Sequence, residues 1–364
     1  MKSNCEIVCD LLPLYLDGIT SEASRQLVEE HLAECGKCKK LFLNLKKSEV
    51  ETEIKEEKVN VIEKQRKAFR RESVLTGGVL SGIFIDADNY SVGDTSISEK
   101  VENIEIDWSS GTVNLVSHSD NTVLVSENID STATDDIRVH WWLDGTTLHV
   151  KFSAPGVKLR LSGCEHKELT LTVPDNFKLS NVTVTAASAD VNVAGISAEK
   201  LDISTASGDM EIECEAEELC LNSASGEVTL NQVGVAEKVE IGTASGKISA
   251  VLEQTGAAVF GSASGDINIK ASESDDLSVE STSGNISCEA AVIPQKCELH
   301  AVSGRVRLTL PENSGFVAKI KSTSGVFDSD FALKKDGSTY TSGDGSAELN
   351  IKTTSGDVTI RKKQ

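Results

Sequence analysis

From Val101 onward, apolar and polar positions alternate in short runs: Ile104 and Ile106, Val113 and Leu115, Val123 and Val125, Leu148 and Val150. A period of two predicts strands with one buried face. After Asn181 the alternation locks to a recurring unit, read as A-S-G-D-M-E-I at 206, A-S-G-E-V-T-L at 224, A-S-G-D-I-N-I at 263, V-S-G-R-V-R-L at 302 and T-S-G-D-V-T-I at 354. Successive Ser-Gly pairs lie 18 to 21 residues apart through Gly325, and a longer stretch precedes Gly356. A fixed period near 20 predicts a β-solenoid. Each unit supplies a Ser-Gly corner, a short strand after it and a second strand before it, as in Leu219-x-Leu221, Val239-x-Ile241 and Leu277-x-Val279. One rung buries little. Rungs stacked at about 4.8 Å would align these side chains into apolar columns.

The first hundred residues read differently. Asn4 caps a predicted helix carrying Ile7, Val8, Leu11, Leu12 and Tyr15, bent at Pro13 and ended at Gly18. Ser21 opens a second helix whose inward stripe is Ala23, Leu27, Val28, His31, Leu32 and Cys35. Residues 39–72 are charged and free of Gly and Pro, with Leu41, Phe42, Leu45, Ile54, Val61, Ile62 and Phe69 spaced loosely for amphipathic helices. Such an arm would lie in a groove on a partner, or pack on its own module, or space two domains. The expected organisation is therefore multidomain, α plus all-β. It comprises a helical module at 1–45, a charged helical linker at 46–72, an apolar cap or connecting segment at 73–100 and a solenoid at 101–364.

The apolar run Ser73 to Ile85 follows Arg66, Lys67, Arg70 and Arg71, which would suit a cytoplasmic N-terminus. Its thirteen uncharged residues make about 20 Å of helix against a hydrocarbon core of ~30 Å. A cap or first strand is the expectation, and a single-pass protein with a cytoplasmic N-terminal module is the alternative. The start has no signal-peptide pattern.

Charge sharpens this division. The net charge is −21, yet residues 1–72 hold 14 basic and 14 acidic side chains, so all the excess belongs to the rest. An acidic solenoid repels phosphate backbones, and no direct nucleic-acid binding is expected of it. The nine cysteines have no regular spacing beyond the first four, which points to a reduced compartment, hence the cytoplasm.

The candidate chemistry lies in the helical module. His31 and Cys35 are four residues apart and share a helix face, Cys38 follows one tight turn later, and Cys5 comes back across the hairpin. Three thiolates and one imidazole suit tetrahedral Zn²⁺, and four protein ligands leave no open position for catalysis. Metal binding would staple two helices too short to hold each other by apolar burial. Cys9, one turn after Cys5, is either a small buried side chain or an accessory thiol able to replace a ligand or form a disulfide.

The runs C-E-I-V-C-D-L-L-P-L-Y-L-D-G from Cys5 to Gly18 and V-E-E-H-L-A-E-C-G-K-C from Val28 to Cys38 resemble the zinc-binding anti-sigma domain, also called the putative zinc-finger family. The resemblance implies that Cys5, His31, Cys35 and Cys38 are the zinc ligands and that the partner is a sigma factor held inactive. In redox-sensing members, oxidation expels zinc and releases that partner. Separately, I-E-I-D-W-S-S-G-T-V-N-L around Trp108, together with the recurring S-G-D-V-x-I, resembles the putative-adhesin β-strand-repeat domain over residues 100–362. That family implies a β-solenoid and no established chemistry.

No enzyme is expected. The positions following the corners, Asp209, Glu227, Lys247, Asp266, Asn285, Arg305, Val326 and Asp357, mix charge types and read as solvated turn residues, not as an acid pair or calcium site. His118, His140, His149, His166 and His300 show no metal spacing. Trp108, Trp141 and Trp142 read as packing at the solenoid's first end. The combined expectation is an anti-sigma-like regulator whose solenoid senses or binds something. The alternative is an adhesin-like scaffold whose zinc module docks or oligomerises it.

Overall fold

The computed structural model of the chain describes residues 90–129, 133–154 and 167–363, together with His31 and Cys35. The chain divides into two compact units, Met1–Lys64 and Gln65–Gln364. Apart from His31 and Cys35, the helices expected over 1–72 and the segment Ser73 to Ile85 lie outside the described residues. Among the described residues no helix is long and apolar enough to cross a membrane.

The second unit is a stack of parallel rungs joined in one hydrogen-bonded sheet. Strands Met210–Ser225, Val228–Thr243, Ile248–Ser264 and Ile267–Ser283 each run through a whole rung, longer than the short strands the pattern predicts. The reason lies in the two bends of a rung. At the Ser-Gly corner the strand breaks. At the opposite bend the ladder continues, so that Ile248–Ser264 pairs with its neighbour from Ile248↔Ile267 to Ser264↔Ser283.

Alternation then places the core. Ile248, Ile267, Ile286, Val306 and Val358 stack in register after the corner, and Phe260, Val279, Leu299 and Ile351 stack before it. All belong to one buried cluster. Each such side chain stabilises the fold by about 1.5–3 kcal/mol relative to exposure, but only because a neighbouring rung covers it.

Stacking follows sequence order only in the middle. Near the C-terminus, strands Lys296–Ser303 and Val306–Leu310 do not pair with the next rung in sequence, Phe316–Ser324 and Phe327–Ser329. Instead Ala347–Ser355 and Val358–Lys362 come back and insert between them. The N-terminal end mirrors this. Strand Asn103–His118 lies between the rung Thr147–Lys151 plus Glu168–Pro174 and the later strand Lys178–Ser207. At both ends the chain runs outward, turns, and returns inside.

The edges at both ends of the stack are largely covered. Val123–Asn128 pairs antiparallel with Glu168–Pro174, and His140–Asp144 with Thr147–Lys151. Short strands Ser91–Val92 and Thr95–Ile97 extend these pairings. At the far end Thr339–Ser342 covers Phe316–Lys319 and is itself covered by Lys334–Asp336. Antiparallel caps of this kind remove the row of unpaired backbone groups that would template further pairing.

Candidate functional site

Of the sequence-predicted zinc ligands, the structure describes two. Cys35 N–H donates to the His31 carbonyl at 2.8 Å, the i to i−4 bond of a helix, with His31 in helical conformation and both residues half-buried. An imidazole and a thiol thus stand one turn apart, a donor pair suited to Zn²⁺. Cys5, Cys38 and the accessory thiol Cys9 lie outside the described residues. Among the described residues no group of three or more His, Cys, Asp or Glu side chains is placed to hold a metal.

The solenoid's thiols behave differently from ligands. Burial pushes Cys214 and Cys297 up to about 12 and Cys220 up to about 11. Cys288, fully enclosed, is likewise raised well above the thiol range. All four stay protonated at neutral pH and act as small apolar side chains.

The polar ladder after the corners proves to be structural. Asp190 Oδ1 accepts the backbone N–H of Asp209 at 2.9 Å, and Asp209 Oδ1 accepts that of Glu227 at 2.8 Å. Asp266 Oδ1 accepts from Asn285 N at 2.7 Å, Asn285 Oδ1 from Arg305 N at 3.0 Å, and Asp357 Oδ1 from Val326 N at 2.9 Å. Each of these five side chains fastens a corner to a neighbouring rung, where the sequence pattern at Asp209, Asp266, Asn285 and Asp357 suggests only solvated turn residues. The short Asp and Asn side chains reach; at Glu227 the carboxylate instead receives Lys247 Nζ at 2.8 Å. The hollow of about 390 Å³ lined by Asn285, Ser287, Arg305, Arg307, Asp357 and Thr359 opens beside this ladder, where Asn285 and Asp357 are already engaged.

One cluster was not legible in the sequence. At the first end of the stack, Lys167 and Glu127 are fully enclosed, with Nζ 2.6 Å from Oε1. Lys167 also donates to the carbonyls of Ile137, at 2.7 Å, and Phe152, and its ammonium lies 4.8 Å from the Trp108 ring centre and 4.1 Å from that of Phe152. Arg138 Nε stands 3.8 Å from the second carboxylate oxygen. Beside them His140, only 2% exposed, donates from Nδ1 to the Arg138 carbonyl at 2.9 Å. Burial, with the nearby Lys167 charge, lowers its pKa against the raising effect of that hydrogen bond. Trp108 and Trp141 pack at this end as predicted, and Trp142 stacks on His149 at 4.6 Å. The cluster ties the cap to the corner; its one lysine and one glutamate sit in an irregular stretch where no spacing announces a pair.

Residues 101–361 match the family described as Toastrack DUF4097. The chain belongs to this family. A second family, described as Putative zinc-finger, matches residues 5–39 ahead of the Toastrack domain. Solved structures similar to the Toastrack portion include a putative lipid binding protein from Parabacteroides distasonis at 17% identity and TM-score 0.47, covering 76% of this chain and 98% of that one. A putative adhesin from Bacteroides fragilis matches at 13% identity and TM-score 0.38, over 76% and 98% of the two chains. No curated protein matches the chain. Outside the zinc-finger match, the Toastrack domain supplies nearly all the described structure, and its chemistry among the described residues is that of a self-fastened scaffold.

Proposed function

We propose that the chain is an anti-sigma-like regulatory protein. Its N-terminal module, with Cys5, His31, Cys35 and Cys38 as zinc ligands, binds and restrains a sigma factor, and the Toastrack solenoid serves as sensor or interaction scaffold. The observation that carries this reading is the zinc-finger match over residues 5–39, which agrees with the one-turn spacing of His31 and Cys35. Zinc, when bound, supplies a cross-link between two short helices. The protein acts by steric occlusion and performs no catalysis. The module with the charged arm at 39–72 covers the surface by which the sigma factor meets polymerase, and a signal at the solenoid or at the thiols, Cys9 included, weakens the grip. The module works in the cytoplasm, and the acidic solenoid makes no direct contact with nucleic acid.

A second reading is favoured by the reach of the Toastrack match, which spans 101–361: a scaffold whose zinc module docks or oligomerises it. One experiment separates the two. The tagged full-length protein is purified from its own host with and without a zinc chelator, and what remains bound is identified by mass spectrometry. Recovery of a sigma factor that chelation releases supports the regulator. Recovery of envelope or self-associated material, with no sigma factor under either condition, sinks it.

A further inference from the structure

Just before the five consecutive corners from Gly208 to Gly284 the inward position carries a hydroxyl. Thr205, Ser223, Thr243, Ser262 and Ser281 stack in consecutive register, Ala301 follows, and Thr353 resumes the column. None of the six hydroxyl residues is more than 6% exposed. Among the described residues, none of their six oxygens has a hydrogen-bond partner. One buried polar atom left this way costs about as much as a lost hydrogen bond. Six in one column call for a common explanation.

They cannot satisfy one another. Rungs repeat at about 4.8 Å, whereas an O–H···O bond spans about 2.7–2.8 Å. A single oxygen placed between successive hydroxyls, however, would bond both with an angle of about 120°, close to what water prefers. The corner supplies further polar surroundings. A Cβ at Gly226 or Gly265 would lie 3.2–3.3 Å from the Ser223 or Ser262 hydroxyl of its own rung, and less than 3.0 Å from the carbonyl oxygen of the preceding corner glycine. Glycine thus brings the backbone carbonyl of the preceding corner close to that hydroxyl, with no side chain between them. Two hydroxyls and a carbonyl match the roughly three partners of a typical buried water.

We propose that the stacked hydroxyls from Thr205 to Ser281 bind a file of ordered water, one molecule per rung, running inside the solenoid along its Ser-Gly corners. The file gives the apolar core one polar seam and penalises any rung that slips by two residues, since such a slip would set Ile203, Leu221, Ile241, Phe260 or Val279 against the water. Ala301 interrupts the seam, and Thr353 stands beyond the interruption.

The test uses the full-length protein. A high-resolution crystal structure should show oxygen density bridging successive hydroxyls between Thr205 and Ser281. Hydroxyls turned onto backbone carbonyls without bridging density would overturn the proposal. Two variants read the same question by sign. Ser262→Ala breaks the file and should lower the melting temperature by roughly 2–4 °C, while Ala301→Ser, gaining water partners, should leave it unchanged or raise it. In a dry column Ser262→Ala would be neutral or stabilising and Ala301→Ser would lower the melting temperature; that reversal sinks the idea.

Discussion

Gly356 stacks on Gly304, fifty-two positions earlier in the chain, and Gly325, its predecessor among the corners, stacks on Gly356 from the other side. A Cβ at Gly356 would fall less than 3.0 Å from the Gly304 carbonyl oxygen. Backbone cannot yield there without parting two rungs, so Gly356→Ala should destabilise the domain by about 1–3 kcal/mol or more. Gly246→Ala, facing the Gly226 carbonyl in the middle of the stack, should do the same. Ser225→Ala, at an exposed corner position, should stay within about 0.5 kcal/mol. Urea unfolding of the three variants checks this; equal midpoints would refute the close approach.

The inserted rung makes the C-terminus a keystone rather than a fringe. Among the described residues, Phe316–Ser324 finds its parallel partner only in Ala347–Ser355. A chain ending at residue 346 should therefore lose amide protection over 316–329 as well as over the deleted strands, while 210–283 stays protected. Hydrogen exchange read by mass spectrometry distinguishes this from simple fraying, in which 316–329 would remain protected by docking on Lys296–Leu310.

How much of this could be read from sequence depends on range. The Ser-Gly period and the alternation at Ile267 and Ile269 are local signals, and they located both the corners and the core. The exchange of rung order at each end is not local. The long stretch before Gly356 shows that something intervenes, but a loop length does not say on which side the chain returns. Asp209 and Asp266 were legible as a ladder but not as fasteners, because residue type shows a carboxylate without showing that its oxygen reaches the next rung's N–H. Lys167 and Glu127 gave no signal, being single charges forty positions apart. At the N-terminus, spacing alone proposed Cys5, His31, Cys35 and Cys38, and the structure contributes the helical step between the middle two.

The ladder makes a selective prediction. Asp209→Ala leaves the Glu227 N–H without its 2.8 Å acceptor, costing about 0.5–1.5 kcal/mol. Asp209→Asn keeps an acceptor oxygen at the same reach and should recover most of that loss. Lys247→Ala, which removes only an exposed ion pair with Glu227, should cost little. Chemical denaturation would contradict the ladder if Asp209→Ala and Lys247→Ala matched.

For the enclosed pair, Lys167→Met leaves the Glu127 carboxylate with the more distant Arg138 guanidinium, 3.8 Å away, in place of an ammonium at 2.6 Å, and should cost about 3–5 kcal/mol. Pairing it with Glu127→Leu removes both charges and should regain much of the loss. A double-mutant cycle reports the coupling. Additive losses would mean that each side chain matters for its packing alone.

The cap should also respond to acid through His140. Its pKa is held below the ordinary value of 6.5 by burial and by the Lys167 charge. In the unfolded chain the imidazole takes up a proton as pH falls through that ordinary value, while in the folded cap it resists. The unfolded state then binds more protons, so stability falls with pH, starting near 6.5 and continuing until the folded group protonates too. Glu127 and Asp135 pull the other way, and the neutral form prevails because burial is the largest influence. Hydrogen exchange over His140–Asp144 and Val123–Asn128 should thus quicken as pH falls below 6.5, after correction for the intrinsic rate. In His140→Gln, which cannot take up the proton, that extra quickening should vanish; its persistence would place the acid sensitivity elsewhere in the cap.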